Sequence, residues 1–311
     1  MDVTPKRGRY GWLRRIEELD PKVDNHEIHL ITAGCEFPWD YQRALEFALF
    51  RTYCVPTISE LLEKTGEFEN RPQKRYDDTS LLMAEMLEHG YDSERGRESL
   101  RTINRMHGKY DIDNDDLLYV LTTFIYEPIE WIDRYGWRRL HPKERLATFY
   151  FYREVGIRMG IKNIPESYTE FARFKLDYEQ RTFRYTEDNH RVGKYTLDLF
   201  CSWFPTALHP AVRQGVYALM DDKMAHAFGF PAGSPTLRRI AVASLRAKAR
   251  GERFMPKRRH SRTTDDSKNK TYPGYPRGYR PSQLGVLADP STCPYTPEHS
   301  VGPRAEHPAT L

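Results

Sequence analysis

The 311-residue sequence lacks an apolar run long enough to span a membrane. The longest candidate, residues 117–126, supplies about half of the roughly 20 residues needed and includes two threonines. The N-terminus alternates charged and apolar residues and shows no apolar stretch followed by a small-residue cleavage site, so no secretory signal is indicated. We therefore predict a cytoplasmic protein.

Paired cysteines are also absent. The four cysteines stand far apart with no CxxC pair, which argues against a disulfide scaffold and the usual zinc-finger spacings. We interpret Cys35, Cys54, Cys201 and Cys293 as small side chains in a reducing compartment. The GxSxG, P-loop and GxGxxG motifs of serine hydrolases, P-loop NTPases and dinucleotide-binding proteins are missing too.

Strand-like patterns are scarce, and only Ile28 to Thr32 is interpreted as a strand. Helical signals dominate, namely capping residues, prolines at first turns and a 3.6-residue apolar period. We predict an all-α bundle of about ten helices. The first predicted helix starts after Pro56, the second covers Thr79–Glu88 with Asp77 and Asp78 as caps, and the third begins at Ser93 or Glu94. The fourth follows Asn114 and contains Pro128, the fifth covers Lys143–Met159, and the sixth follows Ser167. The last three begin at Asp188 or Asn189, at Pro210 (ending at Phe228) and at Pro235.

Composition divides the chain into three parts. Residues 1–20 form an N-terminal arm, and residues 21–255 form one helical domain. Residues 256–311 form a polar linker and an extended Pro-rich tail, because eight of the 21 prolines lie beyond Tyr272.

Positive charge is concentrated between Arg238 and Arg262, where ten Lys or Arg residues accompany one acid, Glu252. A solvated helix and linker is the plain interpretation of this segment. The functional interpretations are contact with an anionic lipid surface and contact with nucleic acid, and the lipid surface suits an enzyme with an apolar substrate. The net charge of +4 does not indicate a nucleic-acid partner.

Metal-binding patterns were sought among the acids and histidines. Three acid clusters begin at Asp77, Asp113 and Asp221, but none has the DDxxD spacing that holds Mg²⁺ on a diphosphate. We interpret them as helix N-terminal or surface groups. The pair His26-x-x-His29 is interpreted as two surface histidines.

One histidine pattern suits haem. If residues 97–108 are helical, then Leu100, Ile103, Asn104 and His107 share one face. Such a histidine is more often a satisfied core residue than an iron ligand. Upstream, Arg75 and Thr79 are four residues apart, which equally suits a salt bridge and a cap at a helix start.

Taken together, these segments resemble one family. The runs EFPWDYQRALEFALFRTYCVPTISELLEKTGEF, KRYDDTSLL, INRMHGKYDIDNDDLLYVLTTFIYEPIEWIDRYGWR and GIRMGIKNIPESYTEF resemble, in the same order, blocks of the MpaB and latex-clearing-protein (rubber oxygenase) family. The resemblance covers about Phe37 to Phe183.

The resemblance implies an all-helical protein with a globin-like core and a haem b oxygenase that cleaves a C=C bond with O₂. Carried over, His107 is the proximal iron ligand, while Arg75 and Thr79 correspond to the RxxxT pair beside the haem. Asn104 is expected at the cofactor face with them. Asp78 replaces the lysine of the rubber-cleaving branch, and the sequence indicates neither the membrane anchor of the fungal members nor the export of the rubber enzymes. We therefore expect a small apolar substrate, isoprenoid or lipid, instead of polyisoprene.

Several points stay open at this stage. The glutamate that rubber enzymes use as a proposed base cannot be aligned among Glu60, Glu63, Glu67 and Glu69. A non-catalytic haem sensor or carrier and a divergent α-helical isoprenoid synthase are the alternatives. The candidates for lining an apolar channel are Phe124, Ile125, Tyr126, Phe149 and Tyr150.

Overall fold

The computed structural model describes residues 5–261, 274–287 and 293–296, and this part of the chain is all-α, with fourteen α-helices and no strand. The predicted fold class is therefore confirmed. The helices are α1 Gly11–Ile16, α2 Asn25–Leu30, α3 Pro38–Thr52, α4 Pro56–Thr65, α5 Glu67–Asn70, α6 Pro72–His89, α7 Glu94–His107, α8 Asn114–Tyr135, α9 Pro142–Arg158, α10 Tyr168–Thr182, α11 Glu187–Ser202, α12 His209–Leu219, α13 Asp222–Phe228 and α14 Pro235–Glu252.

Local capping explains where several helices begin. The Ser93 hydroxyl accepts a hydrogen bond from the Gly96 N–H at the start of α7. At α9, Pro142 occupies the first turn, and the Glu144 carboxylate accepts the N–H of His141 at 2.7 Å. Helix α4 ends at Gly66, whose φ of 65° is in the left-handed region.

Three predictions of local structure are wrong. The segment predicted as a strand, Ile28–Thr32, lies in α2 and in a π-helix at Ile31–Glu36. Helix α6 begins at Pro72 instead of Thr79, so Asp77 and Asp78 lie inside it. The predicted helix over 210–228 is two helices, because the Asp221 carboxylate caps α13 by accepting the Met224 N–H.

The chain divides into two compact units. The first comprises the residues up to Thr52, Leu82–Arg181 and the segment from Arg239. In it α3 packs on α8, and α9 packs on α2 and α8. One buried cluster consists of Trp12, Ile16, Leu19, Ile28, Ile31, Cys35 and Ala147.

The second unit comprises Tyr53–Leu81, Thr182–Arg238 and the described part of the C-terminal segment. Helix α11 contacts α4, α5, α12 and α13. A Cβ atom at Gly193 of α11 would lie 2.6 Å from the ring of Phe228, so the missing side chain permits this close approach.

The C-terminal segment was predicted as an extended tail, and only part of it is described. That part contains one short 3₁₀ turn, Pro281–Gln283, and buries Tyr275 and Leu284. The rest of the tail prediction falls outside the described residues. The globin-like core and the three-part division stay predictions.

Within the described ranges, none of the helices combines the length and the hydropathy needed to cross a membrane.

Candidate functional site

Helix α6 carries an unusual set of buried polar side chains. Gln73, Lys74, Asp77, Asp78 and Glu85 are all buried along it. A buried polar side chain costs free energy unless it is hydrogen-bonded, so such a set is more informative than buried apolar residues. Three successive pairs four residues apart are hydrogen-bonded, namely Gln73–Asp77, Lys74–Asp78 and Arg75–Thr79.

The predicted pair Arg75 and Thr79 is brought together. The Arg75 guanidinium donates to the Thr79 hydroxyl, which in turn donates to the Arg75 carbonyl at 3.2 Å. The guanidinium carbon lies 5.5 Å from the ring centroid of Phe68, close enough for a cation–π contact. Both side chains are half-buried. The pair is therefore a positioned cation and hydroxyl inside the helix, and the interpretation as a helix-start salt bridge is wrong.

The neighbouring Asp78 carboxylate is bound on both oxygens. The Tyr275 hydroxyl donates to Oδ1, while the Gly285 N–H donates to Oδ2 at 2.9 Å. Lys74 Nζ lies 2.5 Å from Oδ2 and also donates to the Gly285 carbonyl at 3.0 Å. The C-terminal segment thus takes part in three of these four contacts of a buried ion pair, which the sequence pattern did not indicate.

Asp77 differs from Asp78 because no cation is hydrogen-bonded to it in the described part of the chain. Its side chain is 0% exposed, and Oδ1 accepts from Gln73 Nε2 at 2.7 Å. Gln73 is oriented in turn by Trp203 Nε1, which donates to Gln73 Oε1 at 2.7 Å. Burial raises the pKa of Asp77 to about 9, so the group is a neutral acid at pH 7. Its Oδ2 has no hydrogen-bond partner among the described residues.

The three predicted acid clusters therefore have different outcomes. Asp113 and Asp221 are helix N-caps, which confirms their interpretation as N-terminal groups. Asp77 and Asp78 are buried in the middle of α6, so that interpretation is wrong for them.

His107 is the last residue of α7 and is half-buried, in the first unit of the chain. Leu100 and Ile103 on the same helix are buried, as the predicted face requires. Asn104 is exposed, however, and its Nδ2 donates to the Arg158 carbonyl at 3.0 Å. Arg75 and Thr79 belong to the second unit.

The candidate channel residues lie in the core of the first unit. Phe124, Ile125, Tyr126 and Phe149 are buried, and Tyr150 is half-buried. The Tyr126 hydroxyl donates to the Tyr168 carbonyl at 2.6 Å. The Phe149 and Tyr150 rings lie 5.1 Å apart between centroids, and Tyr126 and Phe149 both contact the ring of Phe171. Such a cluster suits a wall for an apolar ligand and a plain core equally.

His29 is the centre of a buried hydrogen-bond network that the sequence pattern does not indicate. The side chain is 1% exposed, so its interpretation as a surface histidine is wrong. His29 Nδ1 lies 3.1 Å from the Thr148 hydroxyl, and Nε2 lies 3.1 Å from the Tyr41 hydroxyl, which lies 2.6 Å from that of Tyr152. The motif His26-x-x-His29 carries no further pattern, so the sequence gives no sign that His29 is buried or which residues it contacts.

The donors and acceptors in this hydrogen-bond network follow from the position of the Thr148 hydroxyl proton. The Thr148 hydroxyl donates its only proton to the Glu144 carbonyl at 2.9 Å, so the hydroxyl oxygen must accept from Nδ1–H of His29. Nε2 then accepts from Tyr41, whose oxygen accepts from Tyr152. Burial lowers the pKa of His29 to about 3, which keeps the ring neutral.

A haem group needs an iron ligand and hydrogen-bond or ionic partners for its propionates. Within the part of the chain that the structure describes, no three His, Cys, Asp or Glu residues are grouped to hold a metal ion. A haem iron takes four nitrogen ligands from its porphyrin, so a single histidine suffices. The neutral Asp77 carboxyl can donate a hydrogen bond through its buried Oδ2, which has no partner among the described residues, and the Arg75–Thr79 pair can donate as well. Haem propionates and polarised oxygen accept hydrogen bonds from such donors. Taken one by one, these side chains have the chemistry that a haem group needs.

Comparison with known proteins gives consistent results. The catalytic-domain family described as "ER-bound oxygenase mpaB/B'/Rubber oxygenase" matches residues 47–251. The ER-bound oxygenase mpaB' of Penicillium brevicompactum is 33% identical over 222 residues, which are 65% of this chain and 52% of that protein. The ER-bound oxygenase mpaB of Penicillium roqueforti is 33% identical over 217 residues, covering 64% of this chain and 72% of that protein.

A further relative, the ER-bound oxygenase mpaB of Penicillium brevicompactum, is 38% identical over 180 residues, or 52% of this chain and 46% of that protein. The chain thus spans about half the length of two of the three relatives. The family match covers Arg75, Thr79, Asn104 and His107 and most of the helical body. The chain therefore belongs to the mpaB and rubber oxygenase family, whose catalytic domain matches residues 47–251.

Proposed function

We propose that the protein is a haem b-dependent oxygenase that cleaves a C=C bond of a small apolar substrate with O₂. The observation that carries the proposal is the match of the oxygenase catalytic domain to residues 47–251, which contain all the candidate site residues. Isoprenoids and unsaturated lipids are the substrate classes that suit an apolar wall such as Phe124, Ile125 and Phe149.

His107 is proposed as the iron ligand. A neutral imidazole nitrogen is a strong ligand for haem iron, and the end of a helix presents it at one defined position. Asn104, one turn earlier, holds this end of α7 through its bond to the Arg158 carbonyl. Its proposed role is thus to position the ligand.

Arg75 and Thr79 are proposed to act on the cofactor and on oxygen. The Arg75 cation suits a haem propionate, in a charge-assisted contact typically worth about 1.5–3 kcal/mol. The Thr79 hydroxyl is oriented by its own bonds to Arg75. To donate to negative charge that develops on oxygen during the reaction, the hydroxyl would turn its one proton away from the Arg75 carbonyl, while its oxygen keeps the bond from the Arg75 guanidinium.

The haem would supply the iron centre at which O₂ becomes reactive toward an alkene. The overall reaction balances without an external reductant, because each oxygen atom ends on one of the two alkene carbons and the C=C bond becomes two C=O bonds. The apolar side chains of the core exclude water from the alkene, and no residue of the chain has to supply electrons.

The first test is spectroscopic. The purified protein is reconstituted with haem and its Soret band is recorded for the wild type and for His107→Ala. We expect the substitution to abolish the band or to weaken haem retention severely. His226→Ala, at an exposed histidine of α13, is the control and should retain the spectrum. An unchanged spectrum for His107→Ala would refute the ligand assignment.

The second test separates catalysis from mere binding. O₂ consumption and carbonyl products are measured with a panel of isoprenoid alkenes and unsaturated lipids. A haem spectrum without O₂ consumption would indicate a sensor or carrier. Diphosphate turnover with Mg²⁺ and no haem would indicate an isoprenoid synthase instead.

The cytoplasmic location also remains a proposal. Cys35, Cys54 and Cys201 are buried free thiols, as a reducing compartment permits. Because an apolar substrate partitions into lipid, peripheral membrane contact through Arg238–Arg262 belongs with this proposal.

A further inference from the structure

Helix α14 has an inner face fixed to the first unit. Lys248 Nζ lies 3.3 Å from Asp40 Oδ2 and 2.7 Å from Glu252 Oε1. The same nitrogen is 3.9 Å from the ring centroid of Trp39, and Ala249 beside it is buried. These contacts set which side of the helix faces outward.

The outer face carries a row of apolar side chains in contact with solvent. Ile240 is 56% exposed, Phe254 is 87% exposed and Met255 is 61% exposed, while Ala247 lies between them and is exposed as well. Positions 240, 247 and 254 are seven residues apart, so they share one side of the helix and of the turn that follows it. Exposing a phenylalanine and a methionine side by side is costly in water, and such a patch commonly marks an interaction site.

A row of arginines borders the apolar row. Arg239, Arg246, Arg250 and Arg253 follow one another at spacings of seven, four and three residues, and all are exposed. No ion pair forms with these four side chains in the part of the chain that the structure describes. The acid of this helix, Glu252, is already bound by Lys248 on the inner side.

We infer that this outer face of α14, defined by the two rows, docks on the surface of an anionic lipid bilayer. Insertion of the apolar row would bury Phe254 and Met255 in the acyl boundary, while the arginines would meet the lipid phosphates. This is the arrangement of an interfacial amphipathic helix, which combines a buried apolar face with basic residues. Nucleic acid would use the arginines but would leave the apolar row in water, and so lipid suits the whole face better.

The inference deepens the proposed function, since an oxygenase docked on lipid would receive an apolar substrate from it. Its test is independent of turnover. Apo-protein is sedimented with vesicles of neutral phosphatidylcholine and with vesicles that contain about a third of phosphatidylserine, at low and high salt. We expect binding to the anionic vesicles only, and loss of binding at high salt.

Two variants examine the two rows. Arg246→Gln with Arg250→Gln should lower the partition coefficient on anionic vesicles about 25-fold, from about fivefold per arginine. Phe254→Ser should lower it about tenfold, from the loss of apolar burial. The matched control is Arg97→Gln with Arg101→Gln, a second exposed pair four residues apart on α7, which should bind as the wild type does.

Two results would overturn the inference. One is absence of binding to anionic vesicles at low salt by a folded wild-type protein. The other is binding to single-stranded RNA that persists in Phe254→Ser without any vesicle binding, which would assign the arginine row to nucleic acid. His107→Ala should bind vesicles normally, so failure of the haem proposal and failure of this one are distinguishable.

Discussion

His29 shows how a single proton can fix a buried network. Its neutral ring accepts from Tyr41 and donates to Thr148, so a second proton on the ring would find the Tyr41 hydroxyl turned toward it as a donor. The network therefore tolerates only one protonation state of the ring.

This residue predicts a pH dependence of stability. Burial lowers the pKa of His29 to about 3 in the folded state, against about 6.5 in the unfolded chain. The unfolded state binds more protons between these values, so the free energy of unfolding should fall by about 1.4 kcal/mol per pH unit as the pH drops from 6.5 toward 3. Urea unfolding of wild type and His29→Gln from pH 7 to pH 4 checks this. Equal slopes in both proteins would contradict it.

Asp77 predicts the opposite trend. Its pKa is raised to about 9 when folded and is about 3.9 when unfolded, so the folded state binds the extra proton between these values. The stability that depends on this proton is present below pH 4 and lost as the pH rises toward 9. Asp77→Asn mimics the neutral acid at every pH. The free energy of unfolding of this variant, minus that of the wild type, should therefore be more positive at pH 8 than at pH 5.

Asp78→Asn is the matched control for that measurement. Asp78 is bound by Lys74, and removing its charge leaves a buried ammonium without a counter-ion. The variant should lose about 3–5 kcal/mol at both pH values, as is typical of a broken buried pair. The same behaviour in both variants would contradict the assignment of Asp77 as neutral.

At the scale of the element, the start of α9 depends on a buried cation. Arg138 bridges Glu36, at 3.0 Å, and Glu144, at 2.6 Å. Glu144 also accepts the N–H of His141 at the start of the helix. The cation thus connects the end of the π-helix to the beginning of α9 within the first unit.

Removing this cation should be severe. Arg138→Met removes the ion-pair partner of the buried Glu144 and leaves the buried Glu36 with Arg9 alone, and we expect a loss of about 3–5 kcal/mol in the free energy of unfolding. Arg134→Met, which breaks an exposed pair with Glu130 on α8, should cost less than about 1 kcal/mol. Urea unfolding at pH 7 compares the two. Similar small losses would show that Arg138 is not essential to the fold.

The elements differ in how far they could be predicted. Helices α7 and α9 were predicted well because Ser93, Pro142 and Gly108 are local signals that act within one turn. Helix α6 was predicted too short because Asp77 and Asp78 are typical capping residues, and only tertiary burial makes them interior groups. Ile28–Thr32 was taken for a strand because its apolar residues also suit a buried helix.

The candidate site was predictable only in part. Arg75 and Thr79 could be placed on one helix face from their spacing alone, and the structure joins them. The Asn104 side chain could not be placed, because its partner, the Arg158 carbonyl, belongs to a helix 54 residues later. The same limit applies to Asp78, whose partners are still more distant in the sequence.

On the scale of the whole molecule, the thiols report on global unfolding. Cys35, Cys54 and Cys201 are buried, and burial raises the pKa of Cys35 to about 12. Cys293 is half-exposed. With a thiol reagent at pH 8 we expect one fast reaction, lost in Cys293→Ser, and three slow ones that follow the unfolding rate. Four fast reactions would show that the packing around the three buried thiols opens readily.

Asp78 has a consequence for biosynthesis. Its partners Tyr275 and Gly285 come 197 and 207 residues later in the chain. In a ribosome-bound polypeptide, the Asp78 carboxylate of α6 therefore lacks these two hydrogen bonds until Tyr275 and Gly285 have been made. Premature termination shortly before Tyr275 should give a product that chaperones retain or proteases remove, although residues 47–251, which match the catalytic domain of the family, have already been made.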